Sequence, residues 1–145
     1  CKYALQKVYI PWSTNTNGAH PGDLVFFYRM GEPYEKKAYK SVLSTLCIVD
    51  EIKTDLHSEN DLLKYCQNRS VFPEKELRAI WKRFNGNLIV VKFIQVSPLV
   101  KRPVLKELWD EKILSFPSGP QSFTRITDAQ YEKILQLAQT SIKYI

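Results

Sequence analysis

Residues 22–28 run Gly22-Asp23-Leu24-Val25-Phe26-Phe27-Tyr28, a turn followed at once by an apolar segment. Pro21-Gly22 supplies turn chemistry, and Leu24 to Tyr28 is then almost entirely apolar. So short an apolar run, bounded by a turn, predicts a strand buried on both faces. Upstream, Ser13 to Gly22 is a polar loop with a further turn signal at Asn17-Gly18. Before that loop, Ala4 to Ile10 alternates as a strand does. Ala4, Val8 and Ile10 share one face, Leu5 and Tyr9 the other, and Pro11 closes it.

Downstream, Gly31 to Lys37 reads as a lysine-bearing loop. Val42 to Ile52 is a longer strand, with Val42, Leu46 and Ile48 pointing one way. Ser58, with Asp61 three residues on, caps a helix that runs to about Cys66. Pro73 opens a second helix, whose Leu77, Ile80, Trp81 and Phe84 form one apolar stripe; Asn85-Gly86-Asn87 ends it. Leu88 to Val96, rich in β-branched residues, is the strongest strand signal in the chain. Pro98 and Pro103 bracket a basic connector before a short helix, Leu105 to Glu111. After the loop Ser115 to Gln121 comes a brief strand, Phe123 to Ile126. Thr127 and Gln130 then write a capping box for a last helix, which presents Tyr131, Ile134, Leu135, Ala138 and Ile142 on one face. Strands grouped early and helices inserted late predict an α+β fold. The expectation is a small β-barrel or strongly curved mixed sheet flanked by helices. It forms a single domain over 1–145 with a helical insert at about 58–84.

The 145 residues fit one domain, and 44% hydrophobic content is enough for an ordinary core. No apolar run is long enough for a transmembrane helix, so no membrane partner is expected. Twenty-one basic against fifteen acidic residues leave a net charge of +6, which favours polyanionic partners. Cys1, Cys47 and Cys66 show no C-x-x-C spacing, and Cys47 lies in an apolar run. That pattern suits buried free thiols in a reducing compartment, hence a cytoplasmic location. A start at Cys1 without a signal segment is what a domain excised from, or fused to, a longer protein would show.

Catalytic chemistry has little local support. His20 and His57 are the only histidines, and neither is spaced with a cysteine as a metal site needs. No phosphate-binding glycine loop or nucleophile elbow occurs, so no catalytic residue, metal or cofactor is assigned. Asp50, Glu51 and Asp55 read as a solvated strand edge. Binding chemistry is better represented. Trp12 opens a loop with Ser13 and Asn15, so a flat indole could stack on a base while those side chains read its edge. The competing reading is an indole that caps the core. Tyr28 and Arg29 leave a strand near Lys36 and Lys37, and a guanidinium can pair with phosphate or stack on a base. Lys82-Arg83 and Lys101-Arg102 read as solvated faces, and Trp81 and Trp109 as core. Pro117-Ser118-Gly119-Pro120 stiffens a loop that presents Gln121 and Ser122, and Arg125 follows.

Those residues also carry a family resemblance. Gly22 to Tyr28 resembles the G-D-x-V-x-F-Y strand of EVE domains, members of the PUA-like superfamily with ASCH and YTH domains. Tyr9-Ile10-Pro11-Trp12 resembles the family's opening strand, and Val42 to Glu51 the strand that comes next. Arg102-Pro103-Val104 before Leu105-Lys106-Glu107-Leu108 is similar to its late proline-led helix. Gln121 to Thr127, followed by Gln130-Tyr131 and Ile134-Leu135, resembles its ending. The insert from Ser58 to Phe84 and the loop Ser13 to His20 depart from the pattern.

The resemblance implies a barrel with a cleft at one end and a non-catalytic module for RNA or DNA that holds a modified or flipped base. Trp12 would stack, Ser13 and Asn15 would read edges, and Gln121 and Ser122 would close the same recess. Arg29, Lys36, Lys37 and Arg125 would attract phosphate. Two alternatives stand beside it. One is an accessory domain of a larger enzyme such as an acetyltransferase, partnered by another domain of its own chain. The other is a nuclease using Asp50, Asp55 or His57.

Overall fold

Alternating and β-branched segments form the sheet, and capped amphipathic segments form the helices. The structure, a computed structural model, describes residues 6–67 and 72–142. Among these residues four strands, β1 (Gln6–Tyr9), β2 (Leu24–Arg29), β3 (Val42–Lys53) and β4 (Val90–Pro98), assemble in the order β1-β4-β3-β2. The sheet is antiparallel and open rather than closed into a barrel, with helices against it. β1 pairs antiparallel with β4 in the register Gln6↔Ile94 to Tyr9↔Val91. Phe93 opposes Lys7 and meets the Tyr9 ring diagonally, 6.4 Å between centroids. The central strands are the deeply buried ones: Leu46, Cys47, Val49, Val90 and Val91 lose all solvent contact.

β2 corrects one expectation. It is an edge strand, half-buried in its middle and exposed at Leu24 and Arg29, not buried on both faces. An edge strand has a hydrogen-bonded neighbour on one side only, so apolar content alone overstated its burial. In β3 the more buried face is Leu43, Thr45, Cys47 and Val49, opposite to the one expected, although Leu46 on the other face is also sealed. Ala4 and Leu5 lie outside the described residues.

Among the described residues the helices are α1 (Lys37–Lys40), α2 (Glu59–Cys66), α3 (Glu74–Arg83), α4 (Leu105–Asp110) and α5 (Asp128–Leu137). At the start of α2 the Asp61 N–H donates to Ser58 Oγ at 3.1 Å, and Asp61 Oδ2 accepts from the N–H of His57, one residue before the cap, at 3.0 Å. At α5 the Gln130 N–H donates to Thr127 Oγ1 at 3.1 Å, and the Thr127 N–H to Gln130 Oε1 at 2.8 Å, completing the box. Left-handed Asn85 and Gly86 end α3, and the Gly86 N–H donates to the Trp81 carbonyl at 3.0 Å. A side chain at residue 86 would also strike the Trp81 ring. Phe123 to Ile126 form no strand. Thr124 bonds back to Gln121, and the segment leads straight into the Thr127 cap.

By packing, the chain divides into two units, each with a core of its own. The first comprises Cys1–Leu24 and Ile48–Gln95, the second Val25–Cys47 and Val96–Ile145. In the first, Leu62, Cys66, Leu77, Leu88 and Val90 are buried, with Val8, Ile80, Trp81 and Phe84 packed on them. In the second, Leu43, Leu46, Leu99, Leu108, Ile134 and Ala138 are buried, with Phe26, Tyr28, Tyr131 and Ile142 around them. Pro103, fully buried, accepts from the Leu43 N–H at 2.9 Å, and Ser41 accepts from the Leu105 N–H at 2.9 Å; these bonds fasten α4 to the start of β3. Among the described residues, no helix is long and apolar enough to cross a membrane.

Candidate functional site

In the second unit β2 ends at Tyr28 and Arg29, and the chain passes through Met30 and Gly31 to a turn. The Gly31 N–H donates to Ser41 Oγ at 3.1 Å, and a Cβ at 31 would come within 2.8 Å of Lys40 Cβ. Only glycine permits that approach, which brings the end of β2 against α1. The turn is closed by the Glu32 N–H donating to Glu35 Oε1 at 2.9 Å. Beyond it Lys36, Lys37, Tyr39 and Lys40 are exposed, as are Arg29 and Tyr34. None of these four cations has an ion-pair partner among the described residues. Lys106 of α4 differs, since Asp110 holds it at 2.8 Å and keeps its ammonium above the ordinary lysine range.

The loop from Ser115 to Pro120 lies beside this segment. Its Phe116–Pro117 peptide is cis. The Ser118 N–H donates to the Ser115 carbonyl at 2.8 Å, and Trp109 Nε1–H donates to the Ser118 carbonyl at 2.8 Å. The Phe116 ring, 75% exposed, stands edge-on to Trp109 at 5.0 Å. Trp109 therefore pins the loop and is only half-buried, which corrects its reading as core. A Cβ at Gly119 would sit 3.2 Å from the Tyr28 hydroxyl and 3.7 Å from Lys37 Cε. The fold thus brings Tyr28, Lys37 and this loop together. Gln121 is exposed, with its N–H on Thr124 Oγ1 at 3.0 Å; Ser122 is half-buried, and Arg125 is exposed yet engaged by a neighbour.

Trp12, Ser13 and Asn15 belong to the first unit, whereas Gln121, Ser122 and Arg125 belong to the second. Trp12 is 73% exposed, so it does not cap a core. Phe84 meets it edge-on at 5.6 Å, and the Arg83 guanidinium lies over its ring at 5.5 Å. Ser13 Oγ accepts from the Asn15 N–H at 3.0 Å, and Asn15 Oδ1 from the Asn17 N–H at 2.9 Å. These acceptors shape the loop itself, leaving the Asn15 amide nitrogen and the Ser13 hydroxyl proton as the groups that face outward chemistry. Arg83 is exposed, as a solvated charge is, and what the sequence does not show is its stacking on Trp12. The signal that could have found it is its place at the end of the Trp81-bearing helix, where the chain turns at Asn85.

Asp55 is paired with Lys53 at 3.0 Å, and that ammonium holds its carboxyl below the usual range. Nearby, Tyr65 donates to Glu51 while Lys92 stands 4.1 Å from its ring centroid and Lys53 5.6 Å. The Lys92 side chain is only 14% exposed and lies 4.0 Å from Glu51. Asp50 is exposed, and the His57 N–H is used by Asp61. Among the described residues, no three histidine, cysteine or carboxylate side chains converge as a metal would require. No family model matches the chain, and no curated protein or solved structure matches it either.

Proposed function

We propose that this chain is a non-catalytic module that binds single-stranded or unpaired nucleic acid, RNA or DNA. The observation that carries the reading is the run of exposed cations Arg29, Lys36, Lys37 and Lys40, without carboxylate partners among the described residues and interleaved with exposed Tyr34 and Tyr39. Cations held by no internal acid keep their charge for phosphate, and flat rings between them suit unstacked bases. Trp12 supports the reading from the first unit, since an indole with Arg83 on one side keeps ring area for a modified or flipped base. A PUA-like, EVE- or ASCH-type ancestry is part of the same proposal. Its support is the order of the motifs along the chain and an antiparallel sheet flanked by helices.

The test is fluorescence anisotropy with a labelled single-stranded dodecamer, titrated at several salt concentrations. Four phosphate contacts give a log–log salt slope of about −3 on a single strand. Replacing Lys36, Lys37 and Lys40 together by alanine should reduce that slope to about −1, and Trp12→Ala should weaken binding about 5- to 100-fold. Wild-type protein that ignores the oligonucleotide at low salt would falsify the reading. That result would favour an accessory, protein-docking module, for which exposed Met30, Val100 and Phe116 are the supporting observation.

A further inference from the structure

The hydroxyl of Tyr28 is buried, and no hydrogen-bond partner reaches it among the described residues. A buried hydroxyl left unpaired is costly, and it marks a place where the folded chain withholds a donor. The loop approaches it at Gly119, where a Cβ would lie 3.2 Å from the oxygen and 3.7 Å from Lys37 Cε, so both groups border the same point beside the Gly119 backbone. The cover is thinly held. Ser115, Phe116, Pro117 and Ser118 are all exposed, and the fastenings run to Trp109 of α4 or within the loop. Among the described residues, no hydrogen bond ties residues 115–120 to β2 or α1. Segments with few buried contacts and exposed hydrogen bonds open at low cost.

We infer that residues 115–120 are a displaceable cover, and that lifting it uncovers a site in which the Tyr28 hydroxyl and the Lys37 ammonium together grip one phosphoryl oxygen of a bound strand. The inference rests on the nucleic-acid reading and names a contact within it. A neutral donor beside a cation matches an anionic oxygen, because the hydroxyl fixes direction while the ammonium supplies charge. Filling the donor's empty valence offsets the work of moving the loop, since the unpaired hydroxyl destabilises only the covered state.

Two measurements on the whole chain test it: melting temperature, and affinity for a fluorescein-labelled single-stranded RNA dodecamer. Tyr28→Phe should raise the Tm by about 2–6 °C, because it deletes an unpaired buried hydroxyl. The same substitution should weaken the RNA about tenfold with the salt slope unchanged, since no charge is lost. Lys37→Ala should weaken the RNA and also make the slope shallower by about 0.7. A Tyr28→Phe protein that binds as tightly as wild type, or melts lower, overturns the inference and leaves the nucleic-acid reading standing. Wild-type protein that does not bind the dodecamer overturns both.

Discussion

Cys66 is 2% exposed, and burial pushes its thiol up to about 11 against a smaller opposing pull from Lys92. Tyr65 beside it is raised too, by burial first and then by its hydrogen bond to Glu51. Both groups hold protons in the folded chain that the unfolded chain releases at lower pH. Their stabilisation is complete below about pH 9 and is lost as the pH climbs towards the folded values. Thermal unfolding between pH 8 and 11 should therefore show a falling Tm, and Cys66→Ala should flatten part of that fall. A Tm independent of alkaline pH would contradict the burial of both groups. Residue types legible in the sequence were those whose role is local. Cys47 is sealed as its apolar run requires. Trp109 misled because periodicity shows which face of a helix is apolar, not whether a loop or a core meets it.

Among the elements, the caps were the most legible. Ser58 with Asp61 and Thr127 with Gln130 each satisfy amide groups through side chains three residues apart, a rule that needs no tertiary information. Thr127→Ala should cost about 1 kcal/mol and lower the Tm by about 3 °C, with calorimetry as the readout. Serine at 127 should restore most of it. The short helix α1 is not legible in the sequence, because Lys36 provides no side-chain cap and a single turn has no apolar stripe to read. Phe123 to Ile126 erred the other way. β-propensity describes fitness for a pleated surface, and no strand offers one there.

For the whole molecule, the grouping of strands and helices was legible as α+β, but barrel closure was not, since closure depends on strand tilt and stagger that no local pattern encodes. Within the candidate site, Tyr28, Arg29, Lys36 and Lys37 were readable because they are near neighbours in the chain. The approach of Gly119 to Tyr28 was not, because it joins segments far apart in sequence. The two units divide strands between them: β3 passes from the second unit to the first at Cys47–Ile48, and β4 returns at Gln95–Val96. Continuous strands should couple the cores into one transition. Proteins keeping only Trp81 or only Trp109 should accordingly give coincident urea midpoints, and Leu62→Ala or Leu108→Ala, each costing about 2–5 kcal/mol, should move both probes together. Separated midpoints would mean that the units melt independently.

The surroundings of Trp12 have an optical corollary. Its indole meets water over most of its area, whereas Trp81 and Trp109 are half-buried. Intrinsic emission should hold a red-shifted component that originates at one known position, and long-wavelength excitation selects it. A base laid on that ring would dim this component and spare the others, so occupancy could be followed with no dye attached.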